Sequence, residues 1–287
     1  MKAPSFQYVL PQTLEEALRA VHEMEGARIL AGGQSLLAML NMRFAFPEVL
    51  VDIGRIGQLS HITDHGESIG IGAATRQRDI EFSDLIARRL PVLREAILHV
   101  GHRQTRNRGT VGGSLCQLDP SAEIPTIAMA MDATLTAASV RGQRQIQMAD
   151  FPAGYMTPSL EPDEMLVAVH LRPWARGHGY AFEEYARRHG DFAIVAVAVL
   201  IELDEQGVVD RVSITLGGIS SMPVRVSAAE RLLLGSRAQA ADLKAAAACC
   251  RTVEASSDSH VQGWYRQHLA QVLCERALKR ALARVER

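Results

Sequence analysis

The feature that most constrains the fold of this chain is an apolar run broken by two adjacent glycines, in the stretch ARILAGGQSLLAML at residues 27–40. The run ARILA before the glycines is typical of a buried strand, and SLLAML after them is typical of a helix. Gly32 and Gly33 can adopt positive φ and leave backbone N–H groups uncovered. The turn therefore predicts either a phosphate-binding loop or a simple chain reversal, and for a single pair the chain reversal is the more common outcome.

Length and charge exclude several other classes of protein. The 287 residues exceed one ordinary domain core and predict two domains. A formal net charge of −1 offers no overall field for binding nucleic acid or an anionic membrane. Because the sequence shows neither a signal peptide nor an apolar run of about 18 residues, it predicts a cytoplasmic protein without a membrane span.

The cysteines and histidines do not form a recognisable site. Cys116, Cys249, Cys250 and Cys274 contain no C-x-x-C pair and no spacing typical of zinc or iron–sulfur ligands. The ten histidines are scattered, and none accompanies a Ser or Cys in a nucleophile motif. We therefore predict that this chain itself binds no metal and has no catalytic acid–base residue.

The first 55 residues predict a small parallel α/β unit. TLEEALRAVHEM is typical of a helix that begins with a capping box between Thr13 and Glu16. The strand ARILA, a second helix with Ser35 as its candidate N-cap, and the strand EVLVDI follow in turn. This alternation of strand, helix and strand favours parallel pairing.

The rest of the chain predicts two further units. From residue 56, short strands such as SIGIGA, ATLTAASV and EMLVAVHL alternate with helices in RRLPVLREAILHV and EIPTIAMAMD, which indicates a mainly antiparallel lobe over residues 56–175. Over residues 176–287, strands in YAFEEYA, FAIVAVAVLIELD and VVDRVSITLGG precede helices in AAERLLL, ADLKAAAACCRTV and WYRQHLAQVLCERALKRALARV. Strands first and helices afterwards indicate an α+β domain, so the predicted fold class is α+β.

A second glycine pair changes the interpretation of the first. It lies in TVGGS at residues 110–114, so two Gly-Gly-polar loops now occur in two lobes. Each loop is expected to offer bare backbone N–H groups together with hydroxyls, from Ser35 in the first and from Thr110 and Ser114 in the second. Neither loop is a G-x-G-x-x-G or a P-loop. The two loops together therefore predict a dinucleotide clamped in a cleft between the lobes.

Basic residues precede the second loop in GHRQTRNRG. Two interpretations of His102, Arg103, Arg106 and Arg108 stay open at this point. They form either a solvated or subunit-facing surface, or a positive cluster that balances the charge of a diphosphate.

Four ordered motifs resemble the FAD-binding medium subunit of the molybdenum hydroxylases, a family that includes carbon monoxide dehydrogenase, xanthine dehydrogenase and the bacterial quinoline and nicotine dehydrogenases. The motifs are AGGQS at 31–35, TVGGS at 110–114, DPSAE at 119–123 and RRHGDFAIVAVAV at 187–199. The resemblance runs nearly end to end. It implies an FAD-binding domain of the vanillyl-alcohol-oxidase (PCMH) type over residues 1–175, in lobes of about 1–55 and 56–175. A flavoprotein C-terminal domain, with an antiparallel sheet and helices, is implied over residues 176–287.

The resemblance also implies which residues contact the cofactor. The two loops would surround the FAD diphosphate and ribityl chain, Glu123 would hydrogen-bond the cofactor, Leu166 would lie at the adenine side, and Asp191 with Phe192 would lie near the isoalloxazine ring. The implied set is Ala31, Gly32, Gly33, Gln34, Ser35, Thr110, Val111, Gly112, Gly113, Ser114, Glu123, Leu166, Asp191 and Phe192. Many relatives carry Tyr or Ile in place of Phe192. Some carry a Lys where this chain reads FEEYARR, and here Tyr185 or Arg187 is the candidate substitute.

The resemblance finally implies an electron-transfer function. The chain would receive electrons from the two [2Fe–2S] clusters of a small subunit and pass them through FAD to an external acceptor. A large subunit with the molybdenum–pterin cofactor would hydroxylate the substrate, for which an N-heteroaromatic compound is favoured, in a dimer of heterotrimers. The alternatives are a stand-alone FAD-dependent oxidase or dehydrogenase of the same fold superfamily, and a nucleotide-binding assembly module without flavin. Residues 176–287 have few clustered polar groups, which disfavours a stand-alone substrate domain.

Overall fold

Three main β-sheets and the helices packed against them form the protein, seen here in a computed structural model that describes residues 2–286. The strands are β1 Gln7–Val9, β2 Ala27–Leu30, β3 Val49–Asp52, β4 Ile62–Asp64, β5 Ile69–Gly72, β6 Thr134–Ser139, β7 Gly142–Gln147, β8 Pro152–Gly154, β9 Thr157–Pro158, β10 Met165–Leu171, β11 Gly179–Ala186, β12 Ala193–Leu203, β13 Val209–Gly217 and β14 Val224–Arg225. The helices are α1 Leu14–Glu23, α2 Leu36–Asn41, α3 Gln77–Phe82, α4 Asp84–Arg89, α5 Pro91–Ala96, α6 Arg103–Arg108, α7 Val111–Gln117, α8 Glu123–Ala130, α9 Ser227–Leu233, α10 Ala240–Ala248 and α11 Gly263–Leu282.

The first sheet is parallel, as predicted, in the order β1-β3-β2. Its strand β1 was absent from the sequence prediction, because three residues carry too little periodicity to indicate a strand. Helix α1 begins where predicted, and the Glu16 N–H donates to the Thr13 hydroxyl at 3.1 Å. The Glu16 carboxylate accepts from the N–H of Gln12, so the capping box is completed one residue earlier than predicted.

The second sheet is antiparallel, also as predicted, in the order β4-β5-β10-β6-β7. Part of one face packs against the first lobe through Ala138, Met165 and Val167. The other face contributes Ile71, Leu135 and neighbouring side chains to the largest apolar core, which the intervening helices cover. The first lobe therefore packs against one face of the second sheet, and the helices of the second lobe cover the other face.

The third sheet is antiparallel in the order β11-β12-β13-β14 and has both faces covered. One face packs under α9 and α11, where Val197 and Ile214 lie in a second large core. The other face packs against α5 and α8, where Phe182 and Ala198 join the core of the second lobe. The C-terminal sheet thus shares its interior with the part of the chain that precedes it.

An ion-pair network fastens the last helix to this shared region. The Glu95 carboxylate on α5 accepts from the backbone N–H of Phe182 at 2.8 Å and from the Arg284 guanidinium at 2.7 Å. Arg280 on α11 also pairs with Glu95 and with Glu183. The network holds α5, β11 and the end of α11 in fixed positions relative to one another.

Helix prediction was incomplete in the second lobe. Within RRLPVLREAILHV, which was predicted to be helical, α4 ends at Arg89 and α5 begins at Pro91, because proline lacks an N–H and is favoured at the first position of a helix. The stretch TVGGS, predicted as a loop, provides the N-cap and first turn of α7. The short helices α3 and α6 were not predicted, because six residues with few apolar side chains show no helical periodicity.

Candidate cofactor site

The first glycine segment, residues 31–35, is an open loop between β2 and α2. Gly33 has a φ of +71°, the left-handed conformation that glycine adopts without strain. In the described part of the chain, the backbone N–H groups of Gly32, Gly33, Gln34 and Ser35 donate to no protein group. Ser35 does not cap α2 as predicted, because its φ of −102° and ψ of −52° are already helical and its side chain makes no cap hydrogen bond. The segment therefore presents a row of free donors.

The second glycine segment, residues 110–114, differs from the prediction. Thr110 is the N-cap of α7, and its hydroxyl accepts from the Gly113 N–H at 3.0 Å. The N–H groups of Val111 and Gly112 donate to the carbonyls of Thr75 and Ala73, and Ser114 donates to the carbonyl of Thr110. The expectation of bare N–H groups at this segment was wrong, because the turn of helix and its contact with residues 73–75 use all four donors.

The two glycine segments nonetheless lie side by side, as the predicted clamp requires. A Cβ placed on Gly32 would lie 2.2 Å from the Arg108 carbonyl oxygen, so only glycine allows this approach. A Cβ placed on Gly113 would lie 3.8 Å from the Cβ of Ala31. The lack of side chains at both glycines leaves a narrow, backbone-lined surface between the lobes.

Glu123 is the first residue of α8 and is buried, as is much of the acidic motif before it. Burial raises the pKa of the Glu123 carboxyl to about 7 and also raises the pKa of Asp119. The Asp119 carboxylate accepts from the Ser121 N–H at 2.9 Å, which fixes the turn into the helix. Glu123 is therefore poised between its neutral and charged forms near neutral pH.

The remaining predicted contacts occupy different environments. Leu166 is buried in the apolar core next to a bulge in β10, so its side chain has little free surface. The Asp191 carboxylate is engaged by Arg187 and Arg188, at 3.7 and 3.4 Å. Phe192 is 69% exposed, so its side chain does not fill the interior of this chain.

The loop that carries Asp191 and Phe192 is anchored on the basic segment. Gly190 has a φ of +80°, and a Cβ there would lie 2.4 Å from the His102 imidazole. The imidazoles of His102 and His189 have ring centroids 6.3 Å apart. The structure therefore brings residues 187–192 against the start of α6, close in the chain to the second glycine segment.

The basic segment divides into structural and surface residues. Arg106 is buried, and its guanidinium donates to the Glu81 carboxylate at 2.9 Å and to the Val100 carbonyl at 3.0 Å. Arg106 thus holds α6 against α3. Its guanidinium is engaged by groups inside the protein and is not available to bind a ligand. Arg108 instead faces a polar cavity, which keeps it available for an anionic ligand.

This cavity was missed by the sequence prediction. It has a volume of about 260 Å³ and is lined by Tyr8, Leu10, Ala31, Asp52, Gly54, Arg55, Arg76 and Arg108. Burial lowers the pKa of Arg76, and the neighbouring Arg108 charge lowers it further, so this cavity favours an added negative charge. Several lining residues follow the carboxyl ends of parallel strands, where ligands of such sheets commonly bind. The position of these residues directly after the strands is a signal for this cavity that the sequence did contain.

Metal ligands and membrane segments are not found in residues 2–286. No group of three or more His, Cys, Asp or Glu side chains in this range is placed to hold a metal ion. No helix in this range combines the length and apolar character needed to cross a bilayer.

Family comparisons match this architecture along nearly its whole length. Residues 4–174 match the FAD binding domain in molybdopterin dehydrogenase, and residues 180–281 match the CO dehydrogenase flavoprotein C-terminal domain. The chain therefore belongs to the family of FAD-binding medium subunits of the molybdenum hydroxylases. The resemblance drawn from the four motifs and the α+β fold class are both confirmed.

Particular relatives extend over the full chain. The chain is 40% identical over 286 residues to the 6-hydroxypseudooxynicotine dehydrogenase complex subunit alpha of Paenarthrobacter nicotinovorans, covering 99% of this chain and 97% of the relative. It is 35% identical to the nicotine 6-hydroxylase medium subunit of the same organism, covering 99% and 100%. The structure of carbon monoxide dehydrogenase from Hydrogenophaga pseudoflava superposes with a TM-score of 0.96 at 34% identity, with complete coverage of both chains.

The residues present fit FAD, the cofactor of this family. The free N–H row of residues 32–35 matches the acceptor oxygens of a diphosphate, and the close approach at Gly32 leaves backbone without side chains beside it. The cavity around Arg76 and Arg108 adds positive charge next to Ala31. The roles of the individual predicted residues stay predictions.

Proposed function

We propose that this chain is the electron-transfer subunit of a heterotrimeric molybdenum hydroxylase. It accepts electrons from the [2Fe–2S] clusters of a small subunit and passes them through FAD to an external acceptor. Substrate is hydroxylated at the molybdenum–pterin cofactor of a large subunit. The observation that carries this proposal is the TM-score of 0.96 over the complete chain to carbon monoxide dehydrogenase, together with full-length similarity to a medium subunit.

The residues of this chain bind and orient the cofactor. The N–H groups of residues 32–35 donate to the diphosphate, and the cavity around Arg76 and Arg108 offsets its negative charge. We propose that the Glu123 carboxylate accepts from a hydroxyl of the cofactor, and that Phe192, which is exposed, covers one face of the ring and excludes water. When bound, FAD supplies reversible one- and two-electron chemistry. No acid–base residue of this chain is required by that task.

We further propose an N-heteroaromatic substrate for the complex. Two full-length relatives, at 40% and 35% identity, are named for nicotine or a compound derived from it, and nicotine contains a pyridine ring. The substrate would be selected in the large subunit, so this chain would determine the path of the electrons and not the choice of substrate.

The organisation of the chain follows from this role. We propose that residues 1–175 form the FAD-binding unit and that residues 176–287 form a second unit that helps to cover the FAD site. The whole complex is proposed to be a dimer of heterotrimers. The four cysteines are free thiols, which suits the reducing conditions of the cytoplasm and supports a cytoplasmic complex.

The test is purification of the native complex under anaerobic conditions. We expect FAD, iron and molybdenum to co-purify, and the flavin absorbance to bleach on addition of an N-heteroaromatic substrate but not carbon monoxide. The isolated chain should bind FAD and show no bleaching with the same substrate. Bleaching of the isolated chain would favour a stand-alone oxidase or dehydrogenase, and a pure protein that binds no flavin would overturn the proposal.

A further inference from the structure

Arg266 is a buried cation near the start of α11, where helix electrostatics disfavour it. It is the fourth residue of a helix that begins at Gly263, and it is only 8% exposed. A positive charge at this end opposes the helix dipole, and a buried charge loses its hydration. The contacts that Arg266 makes must therefore compensate for both effects.

Two backbone carbonyls and one carboxylate surround the Arg266 guanidinium. Nη1 donates to the Ile194 carbonyl at 2.5 Å and to the Gly218 carbonyl at 2.7 Å, and Nη2 donates to the Asp258 carboxylate. Nε makes no hydrogen bond to any group in residues 2–286, so Asp258 is not bound by the two parallel hydrogen bonds that an arginine commonly gives to a carboxylate. The guanidinium is therefore placed to reach the two carbonyls.

The first of these carbonyls lies at the base of the loop that carries Phe192. Ile194 is two residues after Phe192, at the point where the chain enters the buried part of β12. On the other side of Phe192, Gly190 lies against the His102 imidazole. Arg266 thus fixes one end of this short segment, and His102 at the start of α6 fixes the other.

The second carbonyl belongs to Gly218, which also contacts the acidic motif DPSAE. Gly218 has a φ of +72°, and a Cβ there would lie 2.8 Å from the Ile194 carbonyl oxygen, so glycine allows the two carbonyls to come together. The Gly218 N–H donates to the Pro120 carbonyl at 2.7 Å. Because Pro120 is three residues before Glu123, Gly218 links Arg266 to the turn that leads into α8.

We propose that Arg266 is a positioning residue of the cofactor site, which holds the Phe192 loop and the acidic motif in a fixed arrangement relative to each other. Arginine suits this task because its planar guanidinium presents donors in fixed directions, whereas a lysine ammonium is a point charge on a flexible stem. With lysine at this position, at least one of the contacts is lost and the two segments can separate. The role rests on the proposed binding of FAD by these segments.

The experiment compares Arg266→Lys with Arg225→Lys in the full chain, stripped of flavin and titrated with FAD by fluorescence quenching. Arg225 is the matched control because it also lies beside the third sheet, where it pairs with Asp132 and Glu230. We expect the Kd for FAD to rise about tenfold in Arg266→Lys, the effect of losing one hydrogen bond from a charged donor. The spectrum and reduction potential of the bound flavin should shift as well.

The control variant should keep the Kd, the flavin spectrum and the potential of the wild type, even where its Tm falls. A merely structural role of Arg266 predicts a lower Tm in both variants with the same potential as the wild type, and that result overturns the proposal. Asp258→Asn, which keeps Arg266 and weakens its ion pair, is the second variant and decides in the same way if Arg266→Lys does not fold. Its changes in Kd and potential should have the same direction and a smaller size.

A double variant tests whether Arg266 acts through Phe192. Effects of residues that act together do not add, whereas independent effects do. The shift in flavin potential caused by Arg266→Lys should therefore be smaller when Phe192→Ala has already removed the aromatic ring. Additive shifts in potential would show that Arg266 does not position the Phe192 loop.

A measurement without cofactor distinguishes this role from the proposed function. Amide hydrogen exchange of the flavin-free chain reports the local opening of peptides that cover residues 119–123 and 187–196. We expect exchange in both peptides to quicken about tenfold in Arg266→Lys and to keep the wild-type rate in Arg225→Lys. If neither the wild type nor any variant binds FAD, the proposed function fails, and hydrogen exchange alone decides the positioning role. Unchanged exchange in Arg266→Lys refutes it.

Discussion

The two glycine segments share the pattern Gly-Gly-polar but use their glycines for different physical ends. In residues 31–35, Gly33 supplies a left-handed turn and the backbone keeps its N–H groups free. In residues 110–114, the glycines lie within α7, the donors are satisfied, and Gly112 lets the helix touch residue 73. The first segment is suited to bind an anion through its free N–H groups. The second segment is suited to pack closely against its neighbours and so to form one side of the site.

The residue at the N-cap position of each helix accounts for the difference between the two segments. Thr110 is extended, with φ −118° and ψ 158°, so its hydroxyl reaches the Gly113 N–H and closes the helix end. Ser35 follows its glycines and is already helical, so its hydroxyl cannot reach back to the open turn. A hydroxyl before the glycines, as in TVGGS, therefore predicts a capped helix, and the absence of one there, as in AGGQS, predicts an open loop.

The largest expected effect is loss of stability in Gly112→Ala. A Cβ there would lie 2.5 Å from the Ala73 Cβ and 2.8 Å from its Cα, which the backbone must move to relieve. We expect the free energy of unfolding to fall by about 3 kcal/mol. Urea denaturation measures it, with Gly57→Ala as control because a Cβ at Gly57 meets nothing within 4 Å. Equal stability of the two variants would show that α7 does not need the close approach.

The next effect is loss of FAD in Gly33→Val with the fold retained. The valine is strained at a φ of +71°, at a cost of about 1–3 kcal/mol, and its Cβ would lie 2.9 Å from the Leu37 Cδ1, so the loop that carries the free donors must shift. Flavin absorbance per chain, set beside circular dichroism, measures both outcomes. Full FAD occupancy would remove residues 31–35 from the site.

A smaller loss of FAD is expected in Gly113→Val than in Gly33→Val. Gly113 has no positive φ, and the added Cβ would lie 2.7 Å from the Thr110 hydroxyl, so the main damage is to the cap, about 1 kcal/mol. Thr110→Ser, which keeps the hydroxyl, should retain both stability and FAD. If the two valine variants lose FAD equally, the contrast between the segments is wrong.

The smallest effect on stability is expected in Phe192→Ala. This variant tests the predicted contact between Phe192 and the flavin ring. Because the side chain is largely exposed, we expect a change within about 0.5 kcal/mol and near-normal FAD content. The flavin spectrum and reduction potential should shift and the reaction with oxygen should quicken, because the ring loses its cover. Phe44→Ala, at 71% exposure, is the matched control. An unshifted potential would refute the contact.

Sequence periodicity predicted the long elements well and the short ones poorly. The capped helix α1 and the strands β10 and β12 are apolar over enough residues for their period to be read. The helices α3 and α6 form because the buried pair of Arg106 and Glu81 and other distant contacts hold them, and such contacts leave no local pattern. Tertiary contacts therefore determine these short helices, which local sequence patterns do not predict.

The candidate site shows the same division. The motif around Gly32 and Gly33 pointed to the loop from its residue types alone. The cavity around Arg76 and the close approach of Gly32 to the Arg108 carbonyl depend on how residues far apart in the chain pack together. Neighbourhoods of this kind become visible only once the sheets are assembled.

The ion-pair network at Glu95 has a consequence for how the chain is made. A ribosome releases residue 95 long before residue 284, and Phe182, Ala196 and Ala198 emerge in between. The core of the second lobe therefore waits, with apolar surface open to solvent, until β11 and β12 arrive to close it. During synthesis this half-built lobe is a natural client for chaperones, and a stop codon before residue 280 would leave Glu95 without its two arginine partners.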